Sequence, residues 1–364
     1  MLSPDRDLDK TRLALEEWLA DRMPDADGVT VSTLEVPGGT GFSNETLLFD
    51  VSYRDRDDGD ESVRSLVGRL QTPEATVFPD LDVTKQARVM QAIADHSDVP
   101  VPEVLWVEED SGVLGTPFFV MEKVEGAIPS DVPSYNEVGF VADMDAPARR
   151  KLWESAIDKM ARVHQVDWRA AGLSFLDESQ HGAPGLDQHL SYLRRYYEWA
   201  VGDHPFPVAE RAWRWIEANR PSEEPPVGLC WGDARLSNMI FSGSECVSVL
   251  DWEMVLLGAP ERDLAWWLYF DRFSAEGYGV PRLEGLPDRE ESIDHYEARL
   301  GRAMRDLEYY EVVAGFYFVV IMVRVGWSLR RMGLLPDADP SGEDFEYANP
   351  SGVLLETVLD ERGA

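Results

Sequence analysis

Three side chains past the middle of the chain have the types and spacing of a phosphoryl-transfer centre. Asp233 and Asn238 lie in the segment GLCWGDARLSNMIF (228–241), and Asp251 follows in VSVLDWE (247–253). Residues 239–241 and 247–250 are short apolar runs that predict a β-hairpin. Such a hairpin sets Asp233 and Asn238 just before its first strand and Asp251 just after its second. Two carboxylates and an amide oxygen then converge. This is the hard-oxygen donor set that Mg²⁺ takes while keeping positions for water and phosphate. Phosphoryl transfer asks little more of a protein: a held metal, a group that orients the hydroxyl nucleophile, and cations on the phosphates. Arg235 stands two residues after Asp233, where a cation could meet the transferred phosphate, and Glu253 is a further candidate for metal, water or substrate.

The spacing D-x-x-x-x-N from Asp233 to Asn238 matches the tail of the kinase catalytic loop. Alone it arises by chance; joined to the hairpin, to DWE (251–253) and to GAPERDLAWW (258–267), it is specific. With these motifs the sequence resembles the aminoglycoside phosphotransferase / choline kinase-like family, which has a protein-kinase-like fold. The resemblance covers roughly residues 28–335 and looks closest to the branch related to kinase domains fused to acyl-CoA dehydrogenases. It implies ATP- and Mg²⁺-dependent transfer of the γ-phosphate to a hydroxyl of a small molecule, either aminoglycoside-like or a hydroxylated metabolite or acyl compound. It also implies Asp233 as catalytic base, Asn238 and Asp251 as Mg²⁺ ligands, and Asp263 as a brace for the catalytic loop. By residue type and position alone, Asp263 reads instead as a helix N-terminal cap.

The surrounding pattern must position these groups. A helix is expected over 8–22, strands over 29–36, 45–53 and 62–71, a helix over 82–96, and strands over 104–108 and 118–123. That is a mostly antiparallel sheet with one inserted helix. After Gly126 helical patterns dominate, at 146–166, 186–201, 207–219, 260–273, 290–303 and 304–332, with a β island at 227–252. The expected class is α+β and bilobal: a small β lobe over 1–125 and a larger, mainly helical lobe over 126–364.

In the first lobe, GGTGFSNET (38–46) lies between two strands, where glycines let backbone N–H groups approach phosphate. Gly41, Phe42, Ser43 and Asn44 are the candidates there. The resemblance implies that Arg69 reaches the α/β-phosphates in place of lysine, gripping them bidentately. It implies as well that the backbone around Glu122 and Val124 reads adenine, with ATP between the lobes. Two residues depart from the family pattern. Gln86 stands where a glutamate pairs with the strand cation, and Trp231 stands where H-G-D has histidine. An indole can fill that space and donate one hydrogen bond. The alternative these departures favour is a degenerate kinase-like protein that binds nucleotide or serves as an interaction module. His164 is read as a core histidine satisfied by hydrogen bonds. The acceptor is expected against 185–215, 253–273 and 310–331.

Composition sets outer bounds. The chain has 364 residues and a net charge of −34, which argues against nucleic acid or an anionic membrane surface as partner. Two cysteines, Cys230 and Cys246, do not make a disulfide framework. The apolar run 312–323 is too short to span a bilayer and predicts a buried helix. The N-terminal residues lack an apolar signal core, so a cytoplasmic protein is the expectation. No H-E-x-x-H, C-x-x-C or G-x-S-x-G occurs, which speaks against zinc and hydrolase chemistry. Past Pro336 the tail either packs back on the helices through Val353, Leu354 and Leu355 or stays mobile.

Overall fold

The computed structural model describes residues 6–37, 43–57, 59–72, 77–80, 82–335 and 348–364. The chain divides into two compact units, residues 1–91 with 102–124, and 92–101 with 125–364.

The first unit begins with helix α1 (Leu8–Arg22), started by Asp7, whose carboxylate accepts the Lys10 N–H. Its buried face is Thr11, Leu15, Trp18 and Leu19, the spacing of one helical stripe. Strands β1 (Ala26–Val31), β2 (Asn44–Asp55) and β3 (Glu61–Gln71) follow, then helix α2 (Val83–His96), then β4 (Val104–Glu108) and β5 (Phe118–Glu122). The sheet order is β1-β2-β3-β5-β4, and every neighbouring pair is antiparallel. Alternation along β2 sends Leu47, Phe49 and Val51 inward, where they join Trp18, Leu66, Leu70, Phe118 and Val120 in one core. The expected first strand, 29–36, ends early at Val31. There the Ser32 N–H still donates to the Asp50 carbonyl at 2.9 Å, but the Ser32 hydroxyl, not its carbonyl, accepts the Asp50 N–H at 2.9 Å. Pairing returns only as a single bridge between Glu35 and Leu48.

The second unit is mainly helical. Helices α3 (Phe140–Asp143), α4 (Ala146–His164), α5 (Leu186–Val201) and α6 (Pro207–Ala218) lead to strands β6 (Gly228–Cys230), β7 (Met239–Ser242), β8 (Glu245–Val249) and β9 (Leu256–Gly258). Helices α7 (Glu261–Arg272), α8 (Arg289–Leu300), α9 (Leu307–Arg331) and α10 (Pro350–Glu361) complete it. Strands β7 and β8 form the expected hairpin. Strand β6 also pairs with β9, forming a ribbon that encloses the hairpin in sequence. That pairing was not legible, since each strand has only three residues.

Helix α9 is apolar along most of its length because it is a core element, with Val312–Val320 buried throughout. Gly315 permits this packing: a Cβ there would lie 2.8 Å from Leu355 on α10 and 2.8 Å from Tyr269 on α7. Of the three tail residues expected to pack, Leu354 and Leu355 are buried, while Val353 is exposed on the opposite face of α10.

Candidate active site

The turn after β6 carries Trp231, Gly232 and Asp233. It passes so close to the turn before β9 that a Cβ on Gly232 would fall 2.1 Å from the Met254 carbonyl oxygen, and Gly232 has φ +100°. Only glycine fits there. Asp263, in the first turn of α7, accepts the Trp231 N–H on Oδ2 at 2.6 Å and the Gly232 N–H on Oδ1 at 3.1 Å. Arg262 donates to the Gly232 carbonyl at 3.2 Å and to Asp263 Oδ1 at 2.9 Å. Asp263 is therefore a brace for the loop and does not cap its own helix, which corrects the reading made from residue type alone.

Behind Asp263, His164 Nε2 lies 3.0 Å from Oδ2, and the Tyr296 hydroxyl lies 2.5 Å from His164 Nδ1. With the tyrosine donating to Nδ1, Nε2 carries the proton and donates to the carboxylate. Both ring nitrogens are thus used, as expected for a core histidine. Burial pushes the Asp263 pKa up, but His164, Arg262 and the Trp231 amide outweigh it and hold the carboxyl below its ordinary value. His164, Cys230 and Asp263 offer ligand atoms within 4.8 Å of one another. That cluster is a hydrogen-bonded brace, however, and burial raises the Cys230 thiol well above its ordinary value.

Asp233 is 8% exposed and is met by donors from three directions. Asn238 Nδ2 donates to its Oδ2 at 2.7 Å and to its main-chain carbonyl at 3.1 Å. Trp266 Nε1 donates to Oδ1 at 2.9 Å. Arg235 Nε lies 3.0 Å from both oxygens. The Arg235 guanidinium also pairs with Asp131 and donates to Ser237 Oγ at 2.8 Å. Burial works against its charge, but Asp131 and Asp233 more than offset that, so its pKa is raised. In this structure Arg235 is spent on carboxylates and helps hold Asp233.

The hairpin brings Asp251 beside this loop. Met239 pairs with Val249, and the Leu250 N–H donates to the Asn238 carbonyl at 2.8 Å. The residue just before β7 and the residue just after β8 are thus joined by a backbone bond. Asp251 turns away from the strand with φ 58°, a left-handed conformation that a short polar side chain tolerates better than most. Trp231 closes the arrangement. Its indole N–H donates to the Leu250 carbonyl at 2.8 Å and lies 3.2 Å from that of Asp251. The residue that departs from H-G-D therefore links the Asp233 loop to the Asp251 loop.

An aromatic wall adjoins Asp233. The Trp266 ring lies 5.5 Å from Tyr317 on α9, and Tyr317 is 5.7 Å from Tyr196 and 6.2 Å from Tyr192 on α5. Trp199 stacks on Tyr196 at 6.0 Å, and the Arg324 guanidinium lies 3.9 Å from the Trp199 ring. These residues fall in all three of the segments expected to meet the acceptor. Glu253 raises the pKa of both Tyr196 and Tyr317, though burial is the larger cause for each. Arg262, Trp266 and Tyr296 were not singled out in the sequence. The first two flank Asp263 in the motif 258–267, which was the available signal.

In the first unit, Arg69 on β3 sits opposite Thr46 and donates to its hydroxyl at 2.9 Å. Ser43 and Asn44 are both 3% exposed, and the Ser43 carbonyl accepts the Thr72 hydroxyl at 2.8 Å. Gly41 and Phe42 lie outside the described residues. Gln86 is buried on α2. The Glu122 N–H is committed to the Glu103 carbonyl at 2.9 Å, and the Glu122 carboxylate pairs with Arg64. Val124 lies just past the end of β5.

Comparison with known proteins bears on this arrangement. Residues 41–307 match the model of the phosphotransferase enzyme family. Mouse acyl-CoA dehydrogenase family member 10 is 33% identical over 207 residues, which are 56% of this chain and 18% of that protein. The chain therefore spans under a fifth of this relative. A putative aminoglycoside phosphotransferase from Ralstonia eutropha superposes with TM-score 0.68 at 23% identity, covering 96% of this chain and 98% of that one. An aminoglycoside phosphotransferase in ternary complex with AMP-PNP and hygromycin B superposes with TM-score 0.55 at 14% identity, covering 95% and 98%. Such likeness at low identity speaks for a kinase-like fold, here an antiparallel five-stranded sheet followed by a largely helical unit. The sequence match extends through both units and across the braced loop from Trp231 to Asp263, and on that ground the chain belongs to the phosphotransferase enzyme family.

Proposed function

We propose that the protein transfers the γ-phosphate of ATP, with Mg²⁺, to a hydroxyl of a small molecule. The observation that carries this reading is the backbone and side-chain linkage of Asp233, Asn238 and Asp251 in one braced turn-and-hairpin. The donor set fits the ion. The Asn238 amide nitrogen is engaged by two oxygens of Asp233, so its oxygen is the atom left as an acceptor, and Asp251 adds a carboxylate. Asn238 and Asp251 are the assigned ligands. Bound there, Mg²⁺ would supply neutralisation of the charge on the β- and γ-phosphates.

The chain's own residues do the rest. Asp233 accepts the proton of the acceptor hydroxyl as that oxygen bonds to the γ-phosphorus, and the bond to the β–γ bridging oxygen breaks to release ADP. Arg235 leaves its resting partners to meet the transferred phosphate. Arg69 and the backbone at Ser43 and Asn44 take the remaining phosphates, and the Val124 backbone meets adenine. The wall of Tyr192, Tyr196, Trp199 and Tyr317 favours an acceptor with an apolar or flat portion, such as a hydroxylated acyl compound, over a bare polycation.

Thermal melts test the nucleotide site. A ligand at 100 times its dissociation constant stabilises the fold by about 2.7 kcal/mol. A shift with MgATP that exceeds the shift with ATP alone, and is lost in Asp251→Ala, is expected. No shift in either protein would overturn the reading. ADP release with a panel of hydroxyacyl compounds and aminoglycosides then identifies the acceptor.

A further inference from the structure

The carboxylate of Asp233 is held by three side chains, and two of them have other duties. On the phosphotransferase reading above, on which this inference rests, Asn238 is needed by the metal and Arg235 by the phosphate. Trp266 is different. An indole is a donor only, with a single N–H and no charge to attract phosphate or metal. Its N–H meets Asp233 Oδ1 at 2.9 Å, and the residue is 2% exposed. The ring is fixed by Phe270 at 4.9 Å, Tyr317 at 5.5 Å and Phe318 at 6.3 Å.

We propose that Trp266 is the positioning residue for Asp233: it holds Oδ1 throughout the reaction, while Arg235 turns to the phosphate and Asn238, its amide nitrogen still on Oδ2, gives its oxygen to the metal. With Oδ1 fixed from the core, rotation of the carboxylate is stopped and Oδ2 faces the incoming hydroxyl. An error of about 1 Å in such placement costs a rate factor on the order of a hundredfold. Trp266 also joins the base to the acceptor wall, since the same ring contacts Tyr317. The neighbouring Trp267 is an internal control. It is equally buried, and its indole N–H has no hydrogen-bond partner among the described residues.

The experiment compares Trp266→Phe with Trp267→Phe. Each change removes one indole N–H and keeps a buried ring. Turnover of MgATP is measured with water and with the hydroxyacyl and aminoglycoside panel as acceptors. Trp266→Phe is expected to lower kcat about ten- to hundredfold with KM for MgATP within about twofold of wild type, while Trp267→Phe leaves both unchanged. A second arm reads the bond itself. In protein with ¹⁵N-labelled indoles, the resonance lost in Trp266→Phe is that of Trp266, and it is expected to move in Asp233→Ala.

An unmoved resonance, an unchanged kcat in Trp266→Phe, or equal losses in the two phenylalanine variants each overturn the proposal. A wild-type protein without turnover toward any acceptor overturns the phosphotransferase reading. In that case the resonance arm still decides whether Trp266 holds Asp233, so the two failures are told apart.

Discussion

The loop from Trp231 to Asp233 and the C-terminal helix both engage charged groups, in opposite ways. Around the loop the charges are buried and hydrogen-bonded to one another and to the backbone: Asp263 takes two backbone amides, Arg262 and His164. Helix α10 is held by its apolar face, with Leu354, Leu355, Val358 and Leu359 buried. To this it adds ion pairs at the rim, Arg272 with Glu361 and Arg211 with Asp360, and one largely buried pair, Arg362 with Glu311. The Arg211 and Asp360 side chains are 28% and 65% exposed. A buried charge that loses its partners has no water to return to, whereas an exposed pair exchanges its partner for solvent at little cost. The loop is therefore specified by electrostatics, and the tail by hydrophobic burial with charges as trim.

The largest expected effect tests the loop side. Asp263→Ala removes the common acceptor and leaves Arg262 and two loop amides without it; the expected loss is about 3–5 kcal/mol in urea denaturation. A loss below about 1 kcal/mol would erase the contrast with the tail. Asp233→Ala separates chemistry from brace: turnover is expected to fall about 10²–10⁴-fold with the melting temperature nearly kept, since Asp263 and Asp131 remain. Trp231→Phe strips the indole N–H from the Leu250 carbonyl, for an expected cost of about 1–2 kcal/mol. Recovery by Trp231→His would show that the donor is what matters.

The loop side also carries a pH dependence. Burial first, and the Arg262 charge second, push the His189 pKa well below its ordinary 6.5, so His189 stays neutral in the fold and accepts from Arg262 Nε at 3.1 Å. The unfolded chain binds the extra proton, and stability is lost as pH falls below 6.5. His189→Gln is expected to flatten that slope in denaturation measured across the acid range; an unchanged slope would remove His189 from the account. The smallest effect is at the tail. Arg272→Ala is expected to cost under about 1 kcal/mol and less still at high salt, read by melts at two ionic strengths.

The sequence made the candidate site groups visible because they are close in the chain. Asp233, Asn238 and Asp251 stand within one turn and one hairpin, and periodicity marked helices such as α1 and α5. What holds them was harder to read. Asp263 acts on amides of Trp231 and Gly232, and its place at a helix start pointed to a cap, because capping is a local bond and bracing is not. Nothing in the residue type of Trp266 says that its N–H meets a carboxylate. Trp231 looked like a weakness in the motif; its role emerges only when the Leu250 carbonyl is found opposite it.

The ribbon of β6 with β9 has a consequence for how the site opens. Cys230 pairs with Leu256, and everything from Trp231 to Val255 lies inside the loop that this pairing closes. Asp233, Asn238 and Asp251 are therefore gained or lost in one event. Amide hydrogen exchange should report the intervening strands as one cooperative unit, with a shared opening free energy in place of separate fraying at each turn. Any influence that unzips these three residue pairs, wherever it acts, silences all three groups at once.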